Sequence, residues 1–306
     1  MKKITDYNKV FLALEKRTED YICNNNLKCM VLGISGGIDS TVVAAICHEV
    51  SKRTGVPLIG RSLPTNYNKE GETSTADLVG KAFCNDYKEV NIQKWYYDSW
   101  YFNEHGSDYN AIAAGNIQAR LRMIYLYNLA SIYKGLVMDT DNLTENNLGY
   151  FTIHGDVGDF NPIGGLWKTE VFELAEWLLN HYQQQMDNSE IEDKSYYFYK
   201  GLAIKESLKL KPTAGLGITD SDLEEIGAES YEQVDQILKD IIHWKKIKVL
   251  EGYSSYKTIS YKTYMESTTI DNIPLEVVEA IAKRHFNSEF KRKHLPIVIT
   301  RNEFFV

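Results

Sequence analysis

Residues 31–45 read VLGISGGIDSTVVAA. An apolar run enters three glycines, and a second apolar run leaves them. Ser35, Asp39 and Ser40 sit between the two runs. A buried strand that turns through glycines into a helix makes an anion site, because free N–H groups and the positive helix end face the ligand. Glycine lets the backbone approach a phosphate closely and accept positive φ. The stretch lacks the lysine of a G-x-x-x-x-G-K-[ST] loop, which leans on the β- and γ-phosphates. A lysine-free turn suits a pyrophosphate that departs as one unit, so the turn is expected to hold the β–γ pair of ATP while the α-phosphate is attacked. Asp39 would repel a bare phosphate, and the conflict vanishes if it holds a divalent cation. The plainer alternative is an ordinary strand-to-helix turn with Asp39 as a first-turn acid favoured by the helix dipole.

Outward from the turn, strands and helices alternate. KCMVLGI (28–34), VPLIGRSLP (56–64), KEVNI (88–92) and GLVMDT (135–140) read as short buried strands. Helical spacing fills 39–52, 70–84 and 108–134. Such alternation predicts an α/β fold with a doubly wound parallel sheet flanked by helices. Residues 149–167, GYFTIHGDVGDFNPIGGLW, are rich in glycine and read as one long functional loop. Helices are expected at 168–184, 230–243 and 274–286, giving a helical C-terminal part. Residues 185–212 are polar and tyrosine-rich and read as an irregular insertion. No linker divides the chain, so 1–306 is read as one domain.

A formal net charge of -8 over 306 residues argues against a nucleic-acid or anionic-membrane surface, apart from a basic cluster at 291–294. No apolar run reaches the roughly 18 residues of a membrane span. The N-terminal segment reads as an amphipathic helix and not as a signal peptide. Cys23, Cys29, Cys47 and Cys84 show no C-x-x-C spacing, so reduced thiols in a cytoplasmic protein are expected.

The S-G-G-x-D-S turn resembles that of PP-loop ATP pyrophosphatases. GNIQARLR (115–122), DTDNLTE (139–145), GYFTIHGD (149–156), KTEVFELA (168–175) and KPTAGL (211–216) follow in the order and spacing of ammonia-dependent NAD synthetases. TDSDLEEIG (219–227) and FKRKHLP (290–296) complete a set that spans nearly the whole chain. The resemblance implies an adenine nucleotide α-hydrolase-like fold and a ligase. It would amidate deamido-NAD with ammonia through an adenylated carboxylate, releasing AMP and pyrophosphate. ATP would be co-substrate and Mg²⁺ the cofactor, in a cytoplasmic homodimer. Glutamine-dependent relatives carry a further amidase domain, and this chain begins almost at the first synthetase helix, so ammonia is the expected nitrogen donor. The alternatives are another PP-loop ligase and a non-catalytic nucleotide-binding protein of the same fold.

The resemblance also implies a site. Gly33, Ile34, Ser35, Gly36, Gly37, Ile38, Asp39, Ser40, Thr140, Lys168 and Thr213 would contact ATP. Asp39, Glu145 and Asp156 would bind the metal; taken singly, Glu145 is an exposed helix acid and Asp156 a turn former. Thr140 alone is a strand-end hydroxyl. Lys168 opens a helix, where a cation is disfavoured unless an anion lies near. Arg120, Asp159, Phe290 and Lys291 would contact deamido-NAD. Arg120 shares a helix face with Asn116, Met123 and Tyr127, whereas Arg122 points elsewhere; alone, Arg120 is a surface cation and Lys291 part of a solvated tail. Asp39, Lys168 and Asp159 are the expected catalytic residues, with Asp159 a proton acceptor for ammonium. Ile153 and Phe290 replace the lysine and histidine usual in the family, and Asp139 replaces a common glycine. A second face of the 108–134 helix, with Ile117, Leu121 and Ile124, would form a subunit interface or pack into the core.

Overall fold

The computed structural model describes residues 3–68, 70–99, 110–212, 221–251, 253, 259–294 and 297–298. Six parallel strands form one sheet: β1 (Met30–Gly33), β2 (Leu58–Ser62), β3 (Asp86–Glu89), β4 (Leu136–Met138), β5 (Phe160–Asn161) and β6 (Ile297–Val298). Their order is β3-β2-β1-β4-β5-β6. The direction of winding reverses between β1 and β4, and open α/β sheets bind ligands at the carboxyl ends of such a pair. Register places Met30 beside both Leu58 and Leu136, so the ends of β1, β2 and β4 are level.

Alternate residues of β1 enter different cores, as a strand's period of two requires. Met30 and Leu32 join the cluster under α1 (Tyr7–Asn24), α2 (Ile38–Thr54), α3 (Glu70–Phe83), α7 (Lys168–Asn188) and α8 (Ile191–Lys209). Val31 joins Met123, Leu126 and Ala130 of α5 (Ala111–Tyr133) on the opposite face, near the short α4 (Gln93–Ser99). Helices therefore cover both faces, as the alternation predicted. Helix α2 is buried almost all round, which explains its continuous Val42-Val43-Ala44-Ala45-Ile46 run.

A third cluster joins α6 (Leu143–Leu148) to α10 (Tyr231–Leu250), α11 (Tyr261–Met265) and α12 (Leu275–Asn287), with Trp167 fully buried in it. The short α9 (Asp222–Ile226) completes the α-helices among the described residues, a 3-10 turn follows at Lys291–His294, and no helix there is long and apolar enough to cross a membrane.

Two expectations are corrected. Residues 185–209 are not irregular: they finish α7 and form α8. The stretch hides its helical period because α8 buries only Lys200, Ala203, Ile204 and Ser207. The 149–167 loop contains β5, whose two residues are too short for a period.

Lys200 is fully buried. Its Nζ donates to the Tyr196 hydroxyl at 2.9 Å and lies 4.2 Å from that ring's centre, with Phe83 and Tyr182 at 5.2 and 5.4 Å. Glu49 Oε1 is 3.7 Å away. Burial pushes the ammonium down to about 7. The unfolded lysine keeps its proton to about pH 10.4. Between those values the unfolded chain binds the extra proton, so stability rises with pH. Lys200→Met is therefore expected to withstand more urea than the parent at pH 7, with the advantage shrinking toward pH 10.

Candidate active site

The turn after β1 is built for a backbone that carries no Cβ at its centre. Gly36 has φ +85, and a Cβ there would lie 2.5 Å from the Glu72 carbonyl oxygen and 2.9 Å from the Ala76 nitrogen, both backbone atoms of α3. Ser35 Oγ accepts the Gly37 N–H at 3.2 Å and pairs with Ser40 Oγ at 3.0 Å. Helix α2 then starts at Gly37 with no side-chain cap. The first-turn N–H groups have no intrahelical partner and face a cavity lined by Gly33, Ile34, Ser35, Gly37, Ile38, Asp39 and Ser40. The cavity measures about 920 Å³, the size of a nucleotide-scale pocket.

β4 ends beside this turn and delivers Thr140, which also lines the cavity. Helix α6 follows. Asn142 Oδ1 accepts the Thr144 and Glu145 N–H groups, while Glu145 Oε2 accepts the Asn142 N–H at 3.1 Å. This reciprocal cap fixes one Glu145 oxygen and leaves the other free. Asn142 Nδ2 meanwhile donates to Asp39 Oδ1 at 2.9 Å, tying α6 to α2.

Lys168, the first residue of α7, closes the group. Its Nζ donates to Asp39 Oδ2 at 2.5 Å and to the free Glu145 Oε1 at 3.1 Å, over the Tyr231 ring at 5.5 Å. Burial opposes the charge on Lys168, but Asp39 and Glu145 overcome it and hold its pKa well above the ordinary lysine value. Burial pushes the Glu145 carboxyl up to about 7, with Lys168 pulling the other way. One ammonium thus neutralises two acids from two other elements, which resolves the unfavourable cation at a helix start.

Asp156 stands on another wall of the cavity. Its Oδ1 accepts the Thr152 N–H at 2.7 Å, and it faces the charges of Lys291 and Arg122. Desolvation by the surrounding walls raises its carboxyl to about 6. The structure thus brings Asp39 and Glu145 together on Lys168 and sets Asp156 apart. Among the described residues, no three His, Cys, Asp or Glu side chains are grouped to hold a metal ion.

Lys291 and Phe290 line the same cavity. Lys291 is not solvated: its Nζ donates to the carbonyls of Gly149 and Phe151 at 2.8 and 2.5 Å, fastening the loop that carries Asp156. Phe290 is exposed. Thr213 lies outside the described residues.

The two arginines of α5 exchange their expected places. Arg120 is exposed, touches the Ile153 carbonyl at 3.4 Å and does not line the cavity. Arg122 does line it, so the expectation that it points elsewhere is corrected. Its Nε donates to the Leu63 carbonyl at 3.0 Å, and burial lowers its pKa while Asp156 and Glu72 oppose that shift. The long side chain reaches back over β2 from a helix position that spacing alone assigned to the other face. Arg122→Met is expected to weaken ATP binding by ~30-fold or more, the usual scale for losing a buried charge partner. Arg120→Met is expected to weaken it by less than about 3-fold, as for an exposed charge. Calorimetric titration of both variants with ATP checks the contrast.

Asp159 is also not on the cavity wall. Its oxygens accept the Val137 N–H at 2.9 Å and the Tyr127 hydroxyl at 3.1 Å, beside β4.

Asp139 and Asp141 flank Thr140 and were not chosen from the sequence as site residues. Asp139 is 1% exposed and accepts from the Asp141 and Gly158 N–H groups and from Asn161 Nδ2. Burial still raises its carboxyl to about 7. Asp141 lines the cavity with a buried Oδ2 that has no hydrogen-bond partner. The repeated acids of DTDNLTE were the available signal.

Comparisons with known proteins bear on the family of the chain. The NAD synthase family's sequence model matches residues 10–295. The NH3-dependent NAD+ synthetase of Helicobacter pylori is 33% identical over 291 residues, covering 93% of this chain and 99% of its own length. That of Thermoplasma acidophilum is 35% identical over 242 residues, 75% of this chain and 88% of its own. Among solved structures, the NMN synthetase of Francisella tularensis superposes with a TM-score of 0.68 at 26% identity, over 94% of this chain and 97% of that one. With the uncapped helix start, its buried lysine bridge and a match running from the first helix to the last basic cluster, the chain belongs to the NAD synthase family.

Proposed function

We propose that this chain is a ligase that uses ATP to amidate deamido-NAD with ammonia, giving NAD, AMP and pyrophosphate. The observation that carries the reading is the open N-terminus of α2 at the β1–β4 reversal, with Lys168 buried against it. The triphosphate binds with its β- and γ-groups on the Ile38, Asp39 and Ser40 N–H groups, and Thr140 also contacts the nucleotide. The carboxylate oxygen of deamido-NAD attacks the α-phosphorus, and the bond to the β-bridging oxygen breaks. The departing pyrophosphate meets backbone dipoles and the Lys168 ammonium, which are already oriented and need no reorganisation. Ammonium gives up one proton, the ammonia formed adds to the adenylated carbonyl, the C–O bond breaks with its electron pair leaving on AMP, and the nitrogen sheds a second proton to give the neutral amide. No covalent enzyme intermediate is required, so positioning and charge stabilisation supply the rate.

The oxygen-only donors Asp39 and Glu145 suit a magnesium ion, which takes one or two carboxylates plus phosphate oxygens and keeps its remaining waters. These two would hold it, and Asp156 stands apart from them on another wall of the cavity. Bound there, the ion would neutralise phosphate charge.

Lys291 and Phe290 border the acceptor on the cavity wall, while Arg120 stays outside it on the Ile153 carbonyl of the 149–156 loop. Homodimerisation would use the outer face of α5, where Ile124 and Ile132 are 66% and 61% exposed, while Leu121 packs inward. A cytoplasmic setting, one synthetase domain and four reduced thiols complete the reading.

An AMP-release assay tests it, with ATP, magnesium and deamido-NAD, and with ammonium or glutamine as donor. Turnover with ammonium, and little with glutamine, is the expected result. Nicotinate mononucleotide in place of deamido-NAD is expected to turn over slowly. If it were the faster acceptor, the reading would pass to the mononucleotide; if neither acceptor released AMP, the ligase reading would fail.

A further inference from the structure

We propose that Asp235 of α10 is a positioning residue for the Lys168–Glu145–Asp39 cluster, acting from the C-terminal helices on the phosphate end of the cavity. The proposal rests on the reading of that end as the pyrophosphate site.

Asp235 is 1% exposed. Its Oδ1 accepts the Thr144 hydroxyl at 2.5 Å. Its Oδ2 accepts the Thr169 N–H at 3.2 Å and the Thr169 hydroxyl at 2.7 Å. Thr144 has then spent its hydrogen, and its Oγ1 accepts the Lys168 N–H at 2.8 Å. Helix α7 has no side-chain cap of its own at Trp167. Two of the N–H groups that its first turn leaves open, those of Lys168 and Thr169, are instead satisfied from α6 and α10, while Glu170 Oε2 accepts the Trp167 N–H.

The consequence is geometric. Thr144 directly precedes Glu145, and Thr169 directly follows Lys168. One carboxylate therefore holds two helix starts at a fixed separation, and those starts carry the acid and the ammonium that meet at 3.1 Å. Asp235 touches neither Lys168 Nζ nor the cavity wall, so its action runs through the backbone of α7. Burial raises the Asp235 carboxyl, and the hydrogen bonds from Thr144 and Thr169, with the dipole of α7, oppose that rise. Asparagine has the same shape but only one acceptor oxygen, so Asp235→Asn frees either Thr144 or Thr169.

Pyrophosphate binding in the presence of magnesium, measured by calorimetry at 25 °C, tests the proposal without any acceptor. Asp235→Asn is expected to weaken pyrophosphate binding about 10-fold, the scale of losing one hydrogen bond to a charged group. Thr144→Val is expected to do the same, and Thr144→Ser to restore parental affinity. Combined with Lys168→Met, Asp235→Asn is expected to add nothing, since both act through one ammonium. A lowered melting temperature with unchanged pyrophosphate affinity in both Asp235→Asn and Thr144→Val would make the carboxylate a structural brace only. Additive losses in the double variant would also overturn the proposal. Failure of the ligase reading shows separately, as intact pyrophosphate binding with no deamido-NAD turnover.

Discussion

Lys168→Met is expected to lower the rate of AMP release at saturating substrate by ~10³-fold, the upper scale for removing one preorganised charge-stabilising donor. The lysine is 1% exposed and bonds both Asp39 and Glu145, so its removal takes away a charge already held in place inside the wall. Its loss also leaves two acids facing each other without their shared counter-charge. Breaking a buried pair in this way costs about 3–5 kcal/mol, an upper bound here because both acids are partly exposed. The sign of the pH dependence follows. Glu145 already has a carboxyl pushed up to about 7 by burial, and Lys168 is the group that restrains it. Without the lysine the folded chain binds that proton more tightly than the unfolded chain. Stability is then highest at acid pH and falls as pH rises through the raised value. Urea midpoints of Lys168→Met are expected to decline from about pH 5 to 8 more steeply than those of the parent. A flat profile together with near-parental turnover would remove Lys168 from the site.

Gly36→Ala is expected to show the second largest effect, by a different route. The φ of +85 costs an L-residue about 1–2 kcal/mol. The new methyl would also press on backbone atoms of α3, which cannot rotate away as a side chain could. For a chain of this size each kcal/mol shifts the melting temperature by roughly 2–4 °C, so a fall of about 5 °C or more is expected. ATP affinity is expected to fall with it, because moving α3 or the turn misaims the N–H groups of Ile38 and Asp39. Gly37→Ala supplies the contrast: its Cβ would meet only the Ser35 side chain at 3.3 Å, and φ is -67. Its melting temperature is expected to stay within about 2 °C of the parent, the scale of an unstrained surface change.

The alternation around the glycine turn was legible because each strand and helix there is coded locally. Three apolar residues and a glycine suffice for β1, and the buried run of α2 begins five residues later. The pairing of Asp39 with Lys168 was not legible by that route. The two are 129 residues apart, and only the resemblance placed them in one site. Spacing also could not choose between Arg120 and Arg122, which lie on different sides of α5. A five-donor side chain long enough to cross to the Leu63 carbonyl defeats a rule written for Cβ directions. Helix α8 escaped because its buried stripe includes a lysine and a serine, Lys200 and Ser207, where the pattern asks for apolar residues. Asp235 gave no signal at all, since its partners are 66 and 91 residues away and its own helix needs no acid there.

The grip of Lys291 on two loop carbonyls reaches across 140 and 142 positions of the chain. The far end of the polypeptide is thus a clasp on the segment that bears Asp156, while the glycine turn is anchored separately in the sheet. A single proteolytic nick after α12 would unlatch one half of the cavity and spare the other. Nicked protein would then still grip a nucleotide yet close poorly over whatever is to be joined to it.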